Sequence, residues 1–145
     1  MFPKWHILFG AIFTFIIWLT VPRVPLTFLA LVFLSSFLID FDHYMAFVLK
    51  TKNLSLRNAF EYYRKGIIKM KKEVAKGIKR KGDFHIFHTI EFHVLVGLFG
   101  FVWIGFFYIF IGMIFHSLLD ILSMAQIGAL HAREFFFFNW VRKRI

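Results

Sequence analysis

The segment that decides the fold of this chain is Ser35-Ser36-Phe37-Leu38-Ile39-Asp40-Phe41-Asp42-His43-Tyr44. Two carboxylates and an imidazole follow directly after an apolar run that is long enough to lie in a membrane. A charged group at the centre of a membrane helix costs about 2.5–3.5 kcal/mol on insertion scales, so such groups usually serve a function. Because aspartate and histidine also bind zinc and related cations, we predict that Asp40, Asp42 and His43 belong to a metal site.

The composition predicts an all-α integral membrane protein. Of the 145 residues, 59% are hydrophobic and 23 are phenylalanine, and the mean hydropathy is +0.69. A soluble core of this size could not bury so many aromatic side chains, so we expect the excess to face lipid. The chain has no cysteine, which excludes disulfides, thiolate metal sites and a cysteine nucleophile. Any metal must therefore be held by histidine and carboxylate side chains.

Four apolar segments predict a four-helix transmembrane bundle within a single membrane domain, residues 1–145. The spans are expected at about residues 5–21, 26–43, 84–104 and 106–124. Pro22 and Pro25 separate the first two spans, because proline lacks the backbone N–H that a helix interior needs. The last two spans come from one apolar stretch that would be about 60 Å long as a single helix, twice the hydrocarbon thickness. We predict the turn between them near Gly105, and Gly112 permits close helix approach nearby.

The segment 50–82 carries most of the Lys and Arg of the chain, with apolar residues at loosely helical spacing. This pattern predicts a basic amphipathic helical insertion between the second and third spans, lying on anionic lipid headgroups. A solvated linker helix fits the pattern equally well. The tail, residues 125–145, mixes aromatic and basic residues, which is typical of a membrane interface.

The distribution of charge predicts the topology. With four spans, the N-terminus, the segment 50–82 and the C-terminus share one side, which holds every Lys and Arg except Arg23. By the positive-inside rule, that side is cytoplasmic. We therefore expect a multi-pass protein of the inner or plasma membrane. The net charge of +10 then reports topology and does not predict a specific nucleic-acid partner.

This topology brings the ionisable residues of all four spans to one level. His116 and Asp120 lie four apart on one helix face within an apolar run, where burial without a partner would be unfavourable. Histidine and carboxylate on facing helices are how helix bundles build metal centres. His88 and His93 are five apart and do not share a face of a regular helix, unless the first turn is frayed. The predicted metal ligands are His6, Asp40, Asp42, His43, His88, His93, His116 and Asp120.

Simpler roles remain open for several of these residues. His6 near an interface is also compatible with a hydrogen-bonded structural histidine. Asp42 could cap a helix end, and Glu91 could pair with a basic residue. In the catalytic hypothesis, Asp40 or Asp42 acts as the general base rather than as a ligand.

The ordered set of motifs resembles the membrane-bound metal-dependent hydrolase family (YdjM-like). The motifs are His6, Asp40-Phe41-Asp42-His43, His88-Thr89-Ile90-Glu91-Phe92-His93 and His116-Ser117-Leu118-Leu119-Asp120. That family is itself considered distantly similar to the zinc phospholipases C. The resemblance implies a divalent-metal hydrolase of phosphoesters. The chain departs from the family pattern at Thr89, where an arginine is usual, and in its additional His85. A phosphate-contacting arginine is therefore either missing or supplied by the basic segment.

We therefore expect a metal-dependent hydrolase, zinc being the favoured metal, that acts at the cytoplasmic membrane face on a small-molecule or lipid phosphoester. One to three ions would activate water and bind a phosphoryl oxygen. The main alternative is a non-enzymatic metal- or haem-binding membrane protein, for instance an electron carrier with paired histidines. A transporter and a structural membrane adaptor are further alternatives. Oligomeric state does not follow from the sequence.

Overall fold

The computed structural model describes residues 3–145, which form helices and no strands. Two short 3₁₀ turns, Ile86–His88 and Leu130–Ala132, flank the last two long helices. The α-helices in chain order are α1 (Pro3–Thr20), α2 (Leu26–Leu38), α3 (Phe41–Thr51), α4 (Leu56–Ala75), α5 (Ile90–Phe99), α6 (Ile104–Gln126) and α7 (Phe137–Arg142).

Three helices of the described residues are long and apolar enough to cross a membrane, which indicates an integral membrane protein. They are α1, the joined α2 and α3 (Leu26–Thr51), and α6. Large apolar side chains of these helices, such as Phe15, Trp18 and Leu122, are more than half exposed. Lipid is the solvent in which such an apolar surface is stable, and a helix suits it because the backbone groups of its interior are hydrogen-bonded within the helix.

The predicted third span, 84–104, is not one continuous helix. Its helical part, α5, has only 10 residues, which is about 15 Å and half of the hydrocarbon thickness. The helix starts late because Thr89 is extended and its hydroxyl caps α5 by accepting from the backbone N–H of Phe92. The turn to α6 lies at 100–103, so Gly105 falls inside α6 instead of in the turn. The complete four-helix transmembrane bundle is thus only partly realised.

The second predicted span, 26–43, is longer than expected and bends in the middle. α2 ends at Leu38 and α3 begins at Phe41. Between them, Asp40 N–H donates to the carbonyl of Phe37 and His43 N–H donates to that of Asp40, both over three residues. This tighter winding interrupts the regular α-helix between Leu38 and Phe41, directly at Asp40.

Helices α2 and α6 pack closely because glycine lies at their contact. A Cβ atom added to Gly112 would collide with Ser35 Oγ and with the carbonyl oxygen of Val32. The predicted close approach at Gly112 is therefore confirmed. A similar approach of α1 to α2 occurs at Gly10, where a Cβ would collide with Ser36 Oγ. These two contacts hold α1, α2 and α6 together at the level of the polar residues.

The basic segment forms α4 over Leu56–Ala75 and continues as non-helical chain to His85. The hydroxyl of Ser55 caps the helix by accepting from Asn58 N–H. Ala59 is the one buried residue of α4, so most of its basic side chains are solvent-exposed. Tyr63 connects α4 to the polar region, because its hydroxyl donates to the carbonyl of His43 at 2.7 Å.

Candidate metal centre

Asp42 is the residue of the opening segment that is most deeply integrated into the site. It is only 5% exposed. Its Oδ2 atom accepts from the backbone N–H of Phe87 at 3.0 Å and lies 3.1 Å from Nδ1 of His88. Its Oδ1 atom lies 2.8 Å from Nδ1 of His43. Both carboxylate oxygens are therefore occupied, and Asp42 fixes the ring orientation of His88.

The side chain of His116 is held in a similar way from the opposite side. Its Nδ1–H donates to the carbonyl of Ser36 at 2.8 Å. Because a neutral imidazole carries one proton, Nε2 of His116 is then left with a free lone pair. The same reasoning applies to His88, whose Nδ1–H donates to Asp42. The two Nε2 atoms face each other at 3.1 Å.

Asp40, His88, His116 and Asp120 form a group whose ligand atoms could hold a metal ion. Asp40 Oδ1 lies 3.5 Å from Nε2 of His88 and 3.4 Å from Nε2 of His116. Asp120 Oδ2 lies 3.8 and 3.5 Å from the same two nitrogens. A tetrahedral ion with ligands at about 2.1 Å places them about 3.4 Å apart. The distances from the two carboxylates to the two histidine nitrogens, 3.4–3.8 Å, are close to this spacing.

Two lone pairs and two carboxylate oxygens that point at one another require a cation between them. In metal-free protein, a proton can fill this role. Burial by itself lowers the pKa of His88, but the hydrogen bonds to Asp40 and Asp42 outweigh it and raise the pKa above its ordinary value. A divalent ion would displace that proton. The described residues thus fit a metal both in spacing and in charge.

A second group, Asp42, His43 and His88, could also hold an ion. It is the more open of the two, because the side chain of His43 is 29% exposed. Asp42 contacts the His88 ring at Nδ1, whereas the carboxylates of the first group face Nε2 of the same ring. A carboxylate that holds the second nitrogen of a metal-binding histidine is the usual way in which proteins orient such a ligand. Asp42 is well placed for that supporting role.

His6 and His93 are buried beside the first group but belong to neither group of potential ligands. The His6 ring stacks on that of His116 at 3.8 Å, and its Nε2 lies 3.2 Å from Asp120 Oδ1. His93 Nδ1–H donates to the carbonyl of Thr89, and its Nε2 accepts from the hydroxyl of Ser117 at 3.0 Å. The 3₁₀ turn at Ile86–His88 precedes α5. It therefore separates His88 from His93 and does not bring the two onto one helix face.

Arg133 is the residue of the site that the sequence did not reveal. The sequence places it only in the interfacial tail, yet its side chain is 9% exposed and Nη1 lies 3.7 Å from Asp120 Oδ2. The turn at Leu130–Ala132 returns the chain to the cluster and carries Arg133 inward. A single arginine in an aromatic tail shows no regular spacing to other polar residues that would predict its burial at a site. Burial lowers the pKa of Arg133, but an arginine stays charged in this range.

His85 is a second residue to which the sequence assigned no role. Its ring stacks on His43 at 3.6 Å, and its Nδ1 lies 3.7 Å from Asp42 Oδ1. Burial, and then the nearby His43, lower the pKa of His85 to about 3. His85 is therefore neutral at physiological pH and does not compete with a metal through its charge.

Several buried polar atoms at this site have no hydrogen-bond partner among the described residues. They are Nδ1 of His6, Nδ1 of His85 and Nε of Arg133. Buried polar groups are nearly always satisfied by protein, water or an ion, so a cluster of exceptions at one place points to a ligand. No protein-family model, no curated protein and no solved structure matches this chain. The assignment of the site therefore rests on the geometry of its residues.

Proposed function

We propose that this protein is a metal-dependent hydrolase of phosphoesters at the cytoplasmic face of a cell membrane. One observation carries the proposal: the lone pairs of His88 Nε2 and His116 Nε2 face each other at 3.1 Å beside two carboxylates. Zinc is the metal that we favour, because the set contains only nitrogen and oxygen ligands at tetrahedral spacing. The ordered motifs that resemble the YdjM-like hydrolases support the same activity.

The residues of the site have distinct roles in this proposal. His88, His116 and Asp120 would hold the ion and leave its fourth position, beside Asp40, to water. The ion would supply Lewis-acid polarisation of a phosphoryl oxygen and activation of that water. Asp42 and the carbonyl of Ser36 keep the two imidazole rings in the tautomer that leaves Nε2 free. Because Asp42 has no unoccupied oxygen, Asp40 is the better candidate to accept a proton from the attacking water.

An apolar groove beside the cluster favours a lipid substrate. The groove has a volume of about 320 Å³ and lies between α2, α5 and α6. Its walls include Ile39 and Phe87, which are the sequence neighbours of Asp40 and His88. An acyl chain in this groove would bring its headgroup to the metal-binding residues. The exposed basic residues of α4 would concentrate anionic headgroups next to the same site.

A non-enzymatic metal-binding protein is the second candidate, and the stacked His43 and His85 rings are consistent with a purely structural or storage site. A haem protein fits less well. The carboxylate oxygens of Asp40 and Asp120 lie within 3.8 Å of the paired histidine nitrogens, and they would occupy the space that a porphyrin ring needs.

Elemental analysis of protein purified in a maltoside detergent tests the proposal. We expect at least one equivalent of divalent metal in the wild type and its loss in His116→Gln. His131→Gln is the matched control, because His131 lies outside both groups. Hydrolysis of para-nitrophenyl phosphate, its diester and phosphatidic acid is then measured on both variants. Wild-type protein without metal, or a His116→Gln variant with unchanged metal content, would show the proposal to be wrong.

A further inference from the structure

Arg133 makes an unusual set of contacts for a buried arginine. Its Nη2 donates to the carbonyl of His88 at 3.1 Å and to the hydroxyl of Ser117 at 3.2 Å. Its ion-pair partner is Asp120, at 3.7 Å from Nη1, and the carboxylates of Asp42 and Asp40 act on it from farther away. That separation is longer than a hydrogen bond, whereas arginines that serve as counter-ions usually form two short parallel bonds. Arg133 therefore forms no short bidentate pair with a carboxylate of the described residues.

The guanidinium also keeps an unused donor. Nε of Arg133 is buried and makes no hydrogen bond with the described residues. Leaving such a donor unsatisfied is unfavourable, and more so on a charged group. The side chain is more than nine-tenths buried, so bulk water does not readily supply an acceptor for this N–H group. A ligand with oxygen acceptors would supply one.

The position of Arg133 is set by a chain of hydrogen bonds. His93 Nδ1–H donates to Thr89, which leaves Nε2 to accept from Ser117. The hydroxyl of Ser117 can then accept from Arg133 Nη2. His93 Nε2 also lies 3.3 Å from the carbonyl oxygen of Met113. His93 and Ser117, which are not potential ligands of either group, thus hold the guanidinium at a fixed place beside Asp120.

Asp120 links Arg133 to the candidate metal centre. The same oxygen, Oδ2, lies 3.5 Å from His116 Nε2 and 3.7 Å from Arg133 Nη1. A cation between Asp40 and Asp120 would compensate both carboxylates and weaken the attraction of Asp120 for Arg133. With Asp42 counted, the divalent ion and Arg133 would balance the three carboxylates of the site, and the planar N–H donors of Arg133 would be available to a tetrahedral oxyanion.

We propose that Arg133 binds the phosphate group of the substrate and that His93 and Ser117 position it for this task. The inference rests on the proposed function and names the anion that the site recognises. The shared chemistry is a phosphate with at least two free or esterified oxygens facing Arg133, from either a lipid headgroup or a soluble phosphate. His93 is accordingly a positioning residue of the anion site.

The test measures phosphate binding separately from turnover. Zinc-loaded protein in maltoside micelles, which contain no phosphate, is titrated with inorganic phosphate by calorimetry, and in a second arm with short-chain phosphatidic acid. In Arg133→Met we expect both anions to bind about tenfold to hundredfold more weakly, with the zinc content unchanged. Arg142→Met, an exposed arginine of α7, should bind like the wild type. Arg133→Lys, which keeps the charge but loses the planar donors, serves if Arg133→Met does not fold.

The outcomes separate the two proposals. A wild-type protein that holds no zinc refutes the proposed function and this inference with it. A zinc-loaded wild type that binds neither anion, or variants of Arg133 that bind both anions with wild-type affinity, refute the inference alone. Arg133-dependent binding of phosphatidic acid without binding of inorganic phosphate assigns the lipid as the source, and the reverse result assigns a soluble phosphate.

Discussion

Replacement of Asp42 distinguishes a supporting carboxylate from a metal ligand. In Asp42→Ala, two buried donors lose their acceptor: the N–H of Phe87 and Nδ1–H of His88. Each unsatisfied buried donor costs about 1–3 kcal/mol, so we expect the free energy of unfolding to fall by about 2–6 kcal/mol. Loss of the contact that orients His88 should weaken metal binding about tenfold to hundredfold. The number of bound ions should stay the same.

Asp42→Asn refines this prediction. An amide oxygen can still accept from Phe87 and His88, while the amide nitrogen can donate to Nδ1 of His43, which lies 2.8 Å from Asp42 Oδ1. The hydrogen bonds are then kept and only the negative charge is lost. We therefore expect most of the stability to return, and metal affinity to remain below that of the wild type.

Zinc affinity is measured by competition with a fluorescent chelator, and stability by thermal unfolding of the metal-free protein in maltoside micelles. Asp83→Ala is the control, since that exposed carboxylate pairs with Lys50 at 3.1 Å outside the site. Loss of a whole equivalent of metal in Asp42→Ala would refute the supporting role and identify Asp42 as a ligand. Unchanged affinity and stability would refute the geometry on which the reasoning rests.

Three further predictions concern the helix contact, the pH dependence and the topology. Gly112→Val should lower the free energy of unfolding by about 1–3 kcal/mol, because overpacking would force α6 away from α2. Gly66 in α4 has open space around it, so Gly66→Ala should raise the free energy of unfolding by about 0.5–1 kcal/mol. Thermal unfolding compares the two variants, and equal effects would contradict the close contact at Gly112. The folded-state pKa of His88 is raised, so its protonation stabilises metal-free protein fully below the unfolded pKa, and this contribution disappears as the pH rises through the folded value. Because zinc competes with that proton, zinc affinity should increase with pH over this range and level off above it. A flat profile of zinc affinity against pH would contradict the assignment of His88 as a ligand. The chain has no cysteine, so Lys72→Cys in α4 and Arg23→Cys in the first turn each introduce a single thiol. In oriented vesicles, the two thiols should react with a membrane-impermeant maleimide from opposite sides. Labelling from the same side would contradict the predicted topology.

Much of the architecture could be read from local sequence. The apolar runs predict membrane helices because hydrocarbon selects apolar side chains whatever they pack against. The spacing of His116 and Asp120 places both on one face of a helix, and their burial together follows from the penalty for isolated polar groups in an apolar run. The assembly of Asp40, His88, His116 and Asp120 is consistent with that prediction.

The shorter third helix and the bend in the second could not be read in this way. Hydropathy does not distinguish ten helical residues of α5 from an apolar segment that is partly extended, because the composition of both is the same. The cap at Thr89 and the tight turns around Asp40 decide these boundaries. They depend on hydrogen bonds of single side chains and backbone groups, which contribute little to a pattern averaged over a window.

What the sequence determined by itself is therefore the chemistry that is available: membrane helices, no thiolates, and histidines with carboxylates at the ends of the apolar runs. What only the tertiary structure decided is which of these groups meet. His6 and His93 carry the same imidazole as His88 and His116, yet hydrogen bonds to Asp42 and Ser36 leave the Nε2 lone pairs of the latter two free to face each other. Arg133 reaches the same site from the far end of the chain because one turn at Leu130–Ala132 carries it inward. Contacts over such distances in sequence depend on the packed fold, and no local pattern records them.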